Sequence, residues 1–220
     1  IWAEKSPSNC RYIKFFIKIF PRCKYIHVVR DGRDVALSLI KRSYSPLEAV
    51  SRWIYDTICT YPFRENEIYY EIKYEDLVNA SYETISKLFN FLQITVDAEK
   101  IIHDLQLIQI DDFPSWTLRP NENISSSAIS KWVNVNKSLK FDLERLFHFV
   151  YLSDRSVKRL GLIKNLNGND VLKIFGYQNN NCWNTNRSID SKIVYMYLRS
   201  MIGNIINQND PNRNWSLKFR

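Results

Sequence analysis

The chain has 220 residues, 45% of them hydrophobic and 25% charged, which suits one well-cored globular domain with an appendage. No apolar run approaches the length of a membrane span, and the four cysteines (Cys10, Cys23, Cys59, Cys182) form no C-x-x-C pair, which argues against a zinc site and for free, mostly buried thiols. The net charge of +8, from 31 Lys and Arg against 23 Asp and Glu, admits an anionic ligand, nucleic acid or an anionic membrane surface without separating them.

In chain order, Tyr12 to Ile19 reads as a helix that Phe20-Pro21 breaks. Lys24 to Val29 is a short apolar, β-branched run, expected as a buried strand. Arg30-Asp31-Gly32-Arg33 is expected as a turn, with a helical pattern from Asp34 to about Arg42. Ser45-Pro46-Leu47-Glu48 is a strong helix start: Ser45 caps, Pro46 suits the first helical position and Glu48 completes a capping box. That helix is expected to reach about Thr60 with Val50, Trp53, Ile54 and Ile58 inward. Ile68 to Tyr74 alternates as a second strand, and Ser81 opens a helix whose core stripe is Ile85, Leu88, Phe89 and Leu92. Asp97 caps a further helix to about Ile108, and Asp111 to Ser130 dissolves into Pro, Ser and Asn as a long loop. Phe141 to Arg159 is expected as one helix, Asn165 to Asp170 as a linker and Ile189 to Ile206 as a final amphipathic helix. The alternation of strands and helices predicts an α/β fold of three layers around a mostly parallel central sheet. The core is expected over 1–164, with a linker and helical extension over 165–220.

In parallel sheets, ligands bind beyond the carboxyl ends of the strands, and Arg30 lies at such an end. A phosphate monoester calls for a guanidinium that binds its oxygens bidentately and for the positive end of a helix. Ser38 and Arg42 follow Asp34 by four and eight residues, so a continuous helix would set all three on one face. Charge-assisted contacts of this kind contribute roughly 1.5 to 3 kcal/mol each, so two or three account for most of a micromolar affinity. Taken alone, R-D-G-R reads sooner as an ordinary strand-turn-helix with solvated charges than as a phosphate site.

The surrounding residues resemble the sulfotransferases that use 3'-phosphoadenosine 5'-phosphosulfate, and among them the tyrosylprotein sulfotransferases and their bacterial relatives. Phe20-Pro21, the Lys24 to Val29 strand, R-D-G-R and Ser38 match that family's 3'-phosphate motif. The resemblance implies that Arg30 and Ser38 hold the 3'-phosphate and that Arg42 joins them. Glu4-Lys5-Ser6-Pro7 matches the K-x-P element, which implies that Lys5 stabilises the transferring sulfuryl group. Ile72 to Val78 resembles the family's R-Y-E-D-L strand end and makes Tyr74 a nucleotide contact. Ser125 to Trp132 resembles the loop that closes over the nucleotide, with Lys131 as the phosphate contact and Ser115 and Arg119 as weaker candidates. The implied fold is P-loop NTPase-like, with the nucleotide as co-substrate and no metal.

The family's 5'-phosphosulfate loop, which precedes the K-x-P element, has no counterpart here, and neither does the acidic base. The chain is therefore expected to be amino-terminally incomplete, to fold poorly alone and to be nearly inactive. Two other readings stay open. A kinase-like phosphotransferase of the same fold would need a Lys-bearing P-loop and an Asp for magnesium. A basic, non-catalytic module for nucleotides or polyanions fits the charge, although no nucleic-acid motif is present and nucleic acid is not an expected partner. The acceptor, a hydroxyl or an amine, is not legible. The compartment follows it: cytoplasm for a bacterial type, Golgi lumen for a tyrosylprotein type.

Overall fold

The computed structural model describes residues 3–95, 97–107, 126–177 and 217–219. After a 3-10 turn at Pro7–Arg11, α1 (Ile13–Ile19) leads into β1 (Tyr25–Val29), and α2 (Gly32–Ile40) and α3 (Pro46–Ile58) then cross over to β2 (Tyr69–Lys73). The two strands pair in parallel, from Tyr25 opposite Tyr69 to Val29 opposite Lys73. A parallel pair joined through helices is the unit of the expected α/β class. Next come α4 (Tyr74–Asn79), α5 (Ser81–Leu92), α6 (Ala98–Leu107), α7 (Lys137–Phe149), β3 (Val150–Leu152), α8 (Asp154–Leu160) and α9 (Gly168–Ile174). β4 (Leu217–Phe219) pairs antiparallel with β3.

α3 is the centre of the core. Ser45 accepts from the Glu48 amide while the Glu48 carboxylate accepts from the Ser45 amide, as the capping box predicts. Val50, Ile54 and Ile58 are fully buried on one stripe with Trp53, packed with Val29, Leu37, Leu143, Phe147 and Phe175. The helix ends at Ile58, short of Thr60, because the Thr60 hydroxyl turns back to donate to the Thr57 carbonyl and Pro62 follows. Cys10 and Cys59 are buried free thiols, as expected, and Cys23 is a half-buried one. Burial pushes the Cys59 thiol up to about 12, so it stays protonated. No helix among the described residues is long and apolar enough to cross a membrane.

Four expectations are corrected. α2 begins at Gly32 rather than Asp34, because Asp31 caps it, and it ends at Ile40. The α5 stripe is only half-buried: the helix meets the sheet through Phe91, whose ring stacks on Tyr70 with centroids 4.9 Å apart. The single helix expected from Phe141 to Arg159 is divided by β3, and Ser153 restarts the chain as α8 by accepting from the Ser156 amide. The linker expected at Asn165 to Asp170 is a helix start, because Asn167 and Asp170 form a second capping box. Val171, Leu172 and Phe175 behind it are buried in the core with α3 and α7. The helix expected over 189–206 lies outside the described residues.

Candidate functional site

Because Val29 and Lys73 are in register, Arg30 and Tyr74 leave the two strands side by side at their carboxyl ends. The Arg30 guanidinium lies over the Tyr74 ring, 4.7 Å from its centroid. Trp53 Nε1 donates to the Arg30 carbonyl at 3.1 Å and fixes the strand end to α3. A Cβ on Gly32 would come within 2.5 Å of that indole, so glycine is needed here for close packing. Gly32 is the first helical residue rather than part of the turn expected over Arg30 to Arg33.

The two arginines of R-D-G-R are used differently. Arg33 is buried: its Nε and Nη2 donate to the two oxygens of Asp31 at 2.9 and 2.6 Å, and its guanidinium lies 3.8 Å from the centroid of the Trp132 ring. Asp31 also accepts from the Arg33 amide at 2.9 Å, so the amino end of α2 is capped by the chain's own carboxylate. Arg30 Nη2 donates to the Ala128 carbonyl and lies 3.7 Å from Asp34 Oδ2. Its Nε is buried without a partner. A side chain that is 22% exposed, with one donor unused, is equipped to take an anion.

Behind this edge stands a support that sequence reading did not single out. Glu75 accepts from the Asp31 amide at 3.1 Å and from the Tyr177 hydroxyl at 2.8 Å. The same hydroxyl lies 3.3 Å from the Val29 carbonyl. Burial, and then the Glu75 carboxylate, hold the Tyr177 phenol well above its ordinary pKa. The Asp34 side chain is fully buried, accepting from the amides of Ser130 at 2.8 Å and Trp132 at 2.9 Å. Burial raises its carboxyl above the ordinary value, against the opposing pull of the Trp132 amide and of Arg30. An acidic residue at the start of a predicted helix, on the face that carries Ser38, was the available signal for Asp34; Tyr177 carried none.

Of the predicted site residues, Arg30 and Tyr74 are in contact. Ser38 is half-buried on α2, one turn beyond Asp34 and on the face that Arg30 approaches. Arg42 is exposed in the turn that follows α2, beyond the helix end, so the expected helical stacking on Ser38 does not extend to it. Lys131 is exposed at the start of a 3-10 turn (Lys131–Asn134), between the two amides that Asp34 holds. Lys5 is exposed, just ahead of the 3-10 turn that Arg11 pins to Asp56 of α3 at 2.7 Å. No hydrogen bond or ion pair among the described residues ties Lys5 to Arg30. Ser115 and Arg119 lie outside the described residues.

A sequence profile described as the sulfotransferase family matches residues 1–98. That span holds Lys5, Arg30, Ser38, Arg42 and Tyr74 and stops short of Lys131. Protein-tyrosine sulfotransferase 1 of Danio rerio is 24% identical over 162 residues, an alignment that takes in 65% of this chain and 44% of the relative. Among solved structures, the sulfotransferase domain from the Synechococcus PCC 7002 olefin synthase is similar with a TM-score of 0.49 and 24% identity, over 66% of this chain and 57% of that one. The sulfotransferase domain from the curacin biosynthetic pathway is similar with a TM-score of 0.47 and 22% identity, over 72% and 62%. The chain thus spans less than half the length of the curated relative. The Arg30 edge, with its strand, turn and helix, lies within residues 1–98, the part of the chain that is similar to the sulfotransferase family.

Proposed function

We propose that the protein transfers a sulfuryl group from 3'-phosphoadenosine 5'-phosphosulfate to a hydroxyl or amine, and that the described residues form its nucleotide side. The observation that carries this reading is Arg30: a partly buried guanidinium at parallel strand ends, stacked on Tyr74, with Nε unpartnered. A dianionic 3'-phosphate supplies the acceptor oxygens that such a group lacks. Ser38 adds a hydroxyl from the adjoining helix, and Arg42 adds a cation from the turn beyond it. Lys131 adds a further cation, and the reading assigns Ser115 and Arg119 to the same nucleotide. The α/β crossover with its parallel pair agrees with the P-loop-like, three-layer fold that this reading implies.

The chemistry is an in-line displacement. An acceptor oxygen or nitrogen forms a bond to sulfur as the bridging bond to the nucleotide phosphate breaks, and adenosine 3',5'-bisphosphate leaves. Lys5 is the residue assigned to the transferring group, where an ammonium offsets the charge gathered on the equatorial and bridging oxygens. The acceptor's proton goes to a base that these residues do not supply. No metal is assigned, since lysine and arginine meet the charge of the donor.

Calorimetry with adenosine 3',5'-bisphosphate tests the reading. The protein is expected to bind it and to bind adenosine 5'-phosphate far more weakly, and Arg30→Ala is expected to weaken bisphosphate binding about 10- to 100-fold, the worth of one or two charge-assisted contacts. Equal affinity for the two nucleotides, or an R30A variant that binds like the wild type, overturns the assignment.

A further inference from the structure

Residues 126–134 have no buried side chain: the 3-10 turns Ser126–Ala128 and Lys131–Asn134 add nothing fully buried to the core. Even so, the chain holds this segment at two costs. The Asp34 carboxylate is removed entirely from solvent, although the stretch it binds is mostly exposed. Ser130 is held in the left-handed region at φ 56°, a conformation that costs a non-glycine residue about 1 to 2 kcal/mol. Both costs are tied to a single contact. Asp34 Oδ2 takes the Ser130 amide and Oδ1 takes the Trp132 amide, so Lys131 is pinned on either side by one carboxylate. Arg33, itself locked by Asp31, carries the Trp132 ring on its guanidinium face. The same turn brings the Ala128 carbonyl onto Arg30 Nη2, and that nitrogen is also within 3.7 Å of Asp34. The segment is therefore fastened to the anion edge, with Trp132 also packed against the core and the Lys140 ammonium 5.1 Å from the centroid of its ring.

We infer that Asp34 is a positioning residue for the anion site: it clips residues 126–134 across Arg30 and presents Lys131 at the rim of the bound phosphate. The inference rests on the reading of Arg30 as the 3'-phosphate ligand and deepens it, because it makes one further cation of the site, Lys131, dependent on a buried acid that touches no substrate. Asp34 acts through Lys131 and through the orientation of Arg30.

The test is a double-mutant cycle on the full protein with adenosine 3',5'-bisphosphate, using Asp34→Asn, Lys131→Ala and the pair. Each single variant is expected to weaken binding about 10-fold, and the pair is expected to be no more than about 3-fold worse than D34N, because Lys131 has already lost its place. Losses that multiply in the pair, or a D34N variant that binds like the wild type, overturn the inference while leaving the functional reading intact. Amide exchange supplies a readout independent of the ligand: in D34N, peptides covering 126–134 are expected to exchange at least about 10-fold faster while those from α3 and α7 stay unchanged. Unchanged exchange in 126–134 removes the clip, and faster exchange throughout makes Asp34 a fold-wide stabiliser instead. If D34N does not fold, Asp34→Glu replaces it in the same cycle, since it keeps the charge but moves the carboxylate off the two amides. A wild-type protein that fails to bind the bisphosphate, with exchange still accelerated only in 126–134, overturns the functional reading and the role in anion binding together. The clip would then stand as a structural contact.

Discussion

Arg30 and Arg33 are three residues apart and present the same guanidinium, yet one is consumed by the fold and the other keeps a donor in reserve. The difference comes from what faces each: Arg33 meets Asp31 and the Trp132 ring, whereas Arg30 meets the flat face of Tyr74. A ring can orient a guanidinium without taking up its hydrogen-bond donors, and this gives Tyr74 a role that does not need its hydroxyl. Tyr74→Phe is therefore expected to bind adenosine 3',5'-bisphosphate within about 2-fold of the wild type, and Tyr74→Ala to bind about 5- to 30-fold more weakly, the range of a partly desolvated cation–π contact. Titration calorimetry on the two variants separates this from direct hydrogen bonding, under which Y74F would fall with Y74A. Arg30 and Tyr74 were legible in the sequence because each follows a recognisable strand within a few residues. The fate of Arg33 was not, since it depends on Trp132, which reaches it only through the tertiary fold.

Among the elements, local signals were read well where one answer was open to them and poorly where two were. Ser45 to Glu48 is both a helix start and a capping box, and α3 begins there. Asn167-Gly-Asn-Asp170 carries the same reciprocal cap, but its residues are equally those of a linker, and only burial of Val171, Leu172 and Phe175 decides between the two. β3 escaped notice because three residues between two helical patterns do not interrupt a periodicity visibly. The two caps differ in what else they hold. Ser45 serves α3 alone, whereas the Asn167 amide also donates to the His148 carbonyl at 3.0 Å and ties α9 to the end of α7. Ser45→Ala is accordingly expected to cost about 1 kcal/mol and Asn167→Ala about 2 kcal/mol, read as shifts of the urea midpoint at unchanged slope. Equal losses would mean that the Asn167–His148 bond contributes nothing net.

At the scale of the whole molecule, the family-matched residues 1–98 and the later chain share one core, and the buried contacts between them make the stability of one a condition of the other. His27 reports on that union. It sits on β1 with its ring edge against Phe175, and Nδ1 lies 2.7 Å from the Tyr69 hydroxyl and 3.3 Å from Thr60 Oγ1. Tyr69 directs its own proton to Glu71 and Thr60 directs its proton to the Thr57 carbonyl, so Nδ1 carries the hydrogen of a neutral imidazole. Although Glu71 Oε2 is 4.0 Å away, Arg64 holds that carboxylate at 2.7 Å, and burial together with the Arg64 charge lowers the His27 pKa to about 4. An imidazole that titrates near 6.5 in the unfolded chain and lower in the folded one takes up its proton first on unfolding. Its contribution to stability is therefore complete above pH ~6.5 and is lost as pH falls toward the folded value, by about 3 kcal/mol in all. Asp34 acts in the opposite sense: its raised carboxyl favours the folded state below its unfolded value, and that contribution fades as pH rises through the folded one. The two overlap, so the histidine must be isolated by substitution. Urea unfolding from pH 8 to pH 4 is expected to show a loss of stability below pH ~6.5 that is smaller in His27→Gln by about 3 kcal/mol, and the same loss in both proteins would place the acid sensitivity elsewhere.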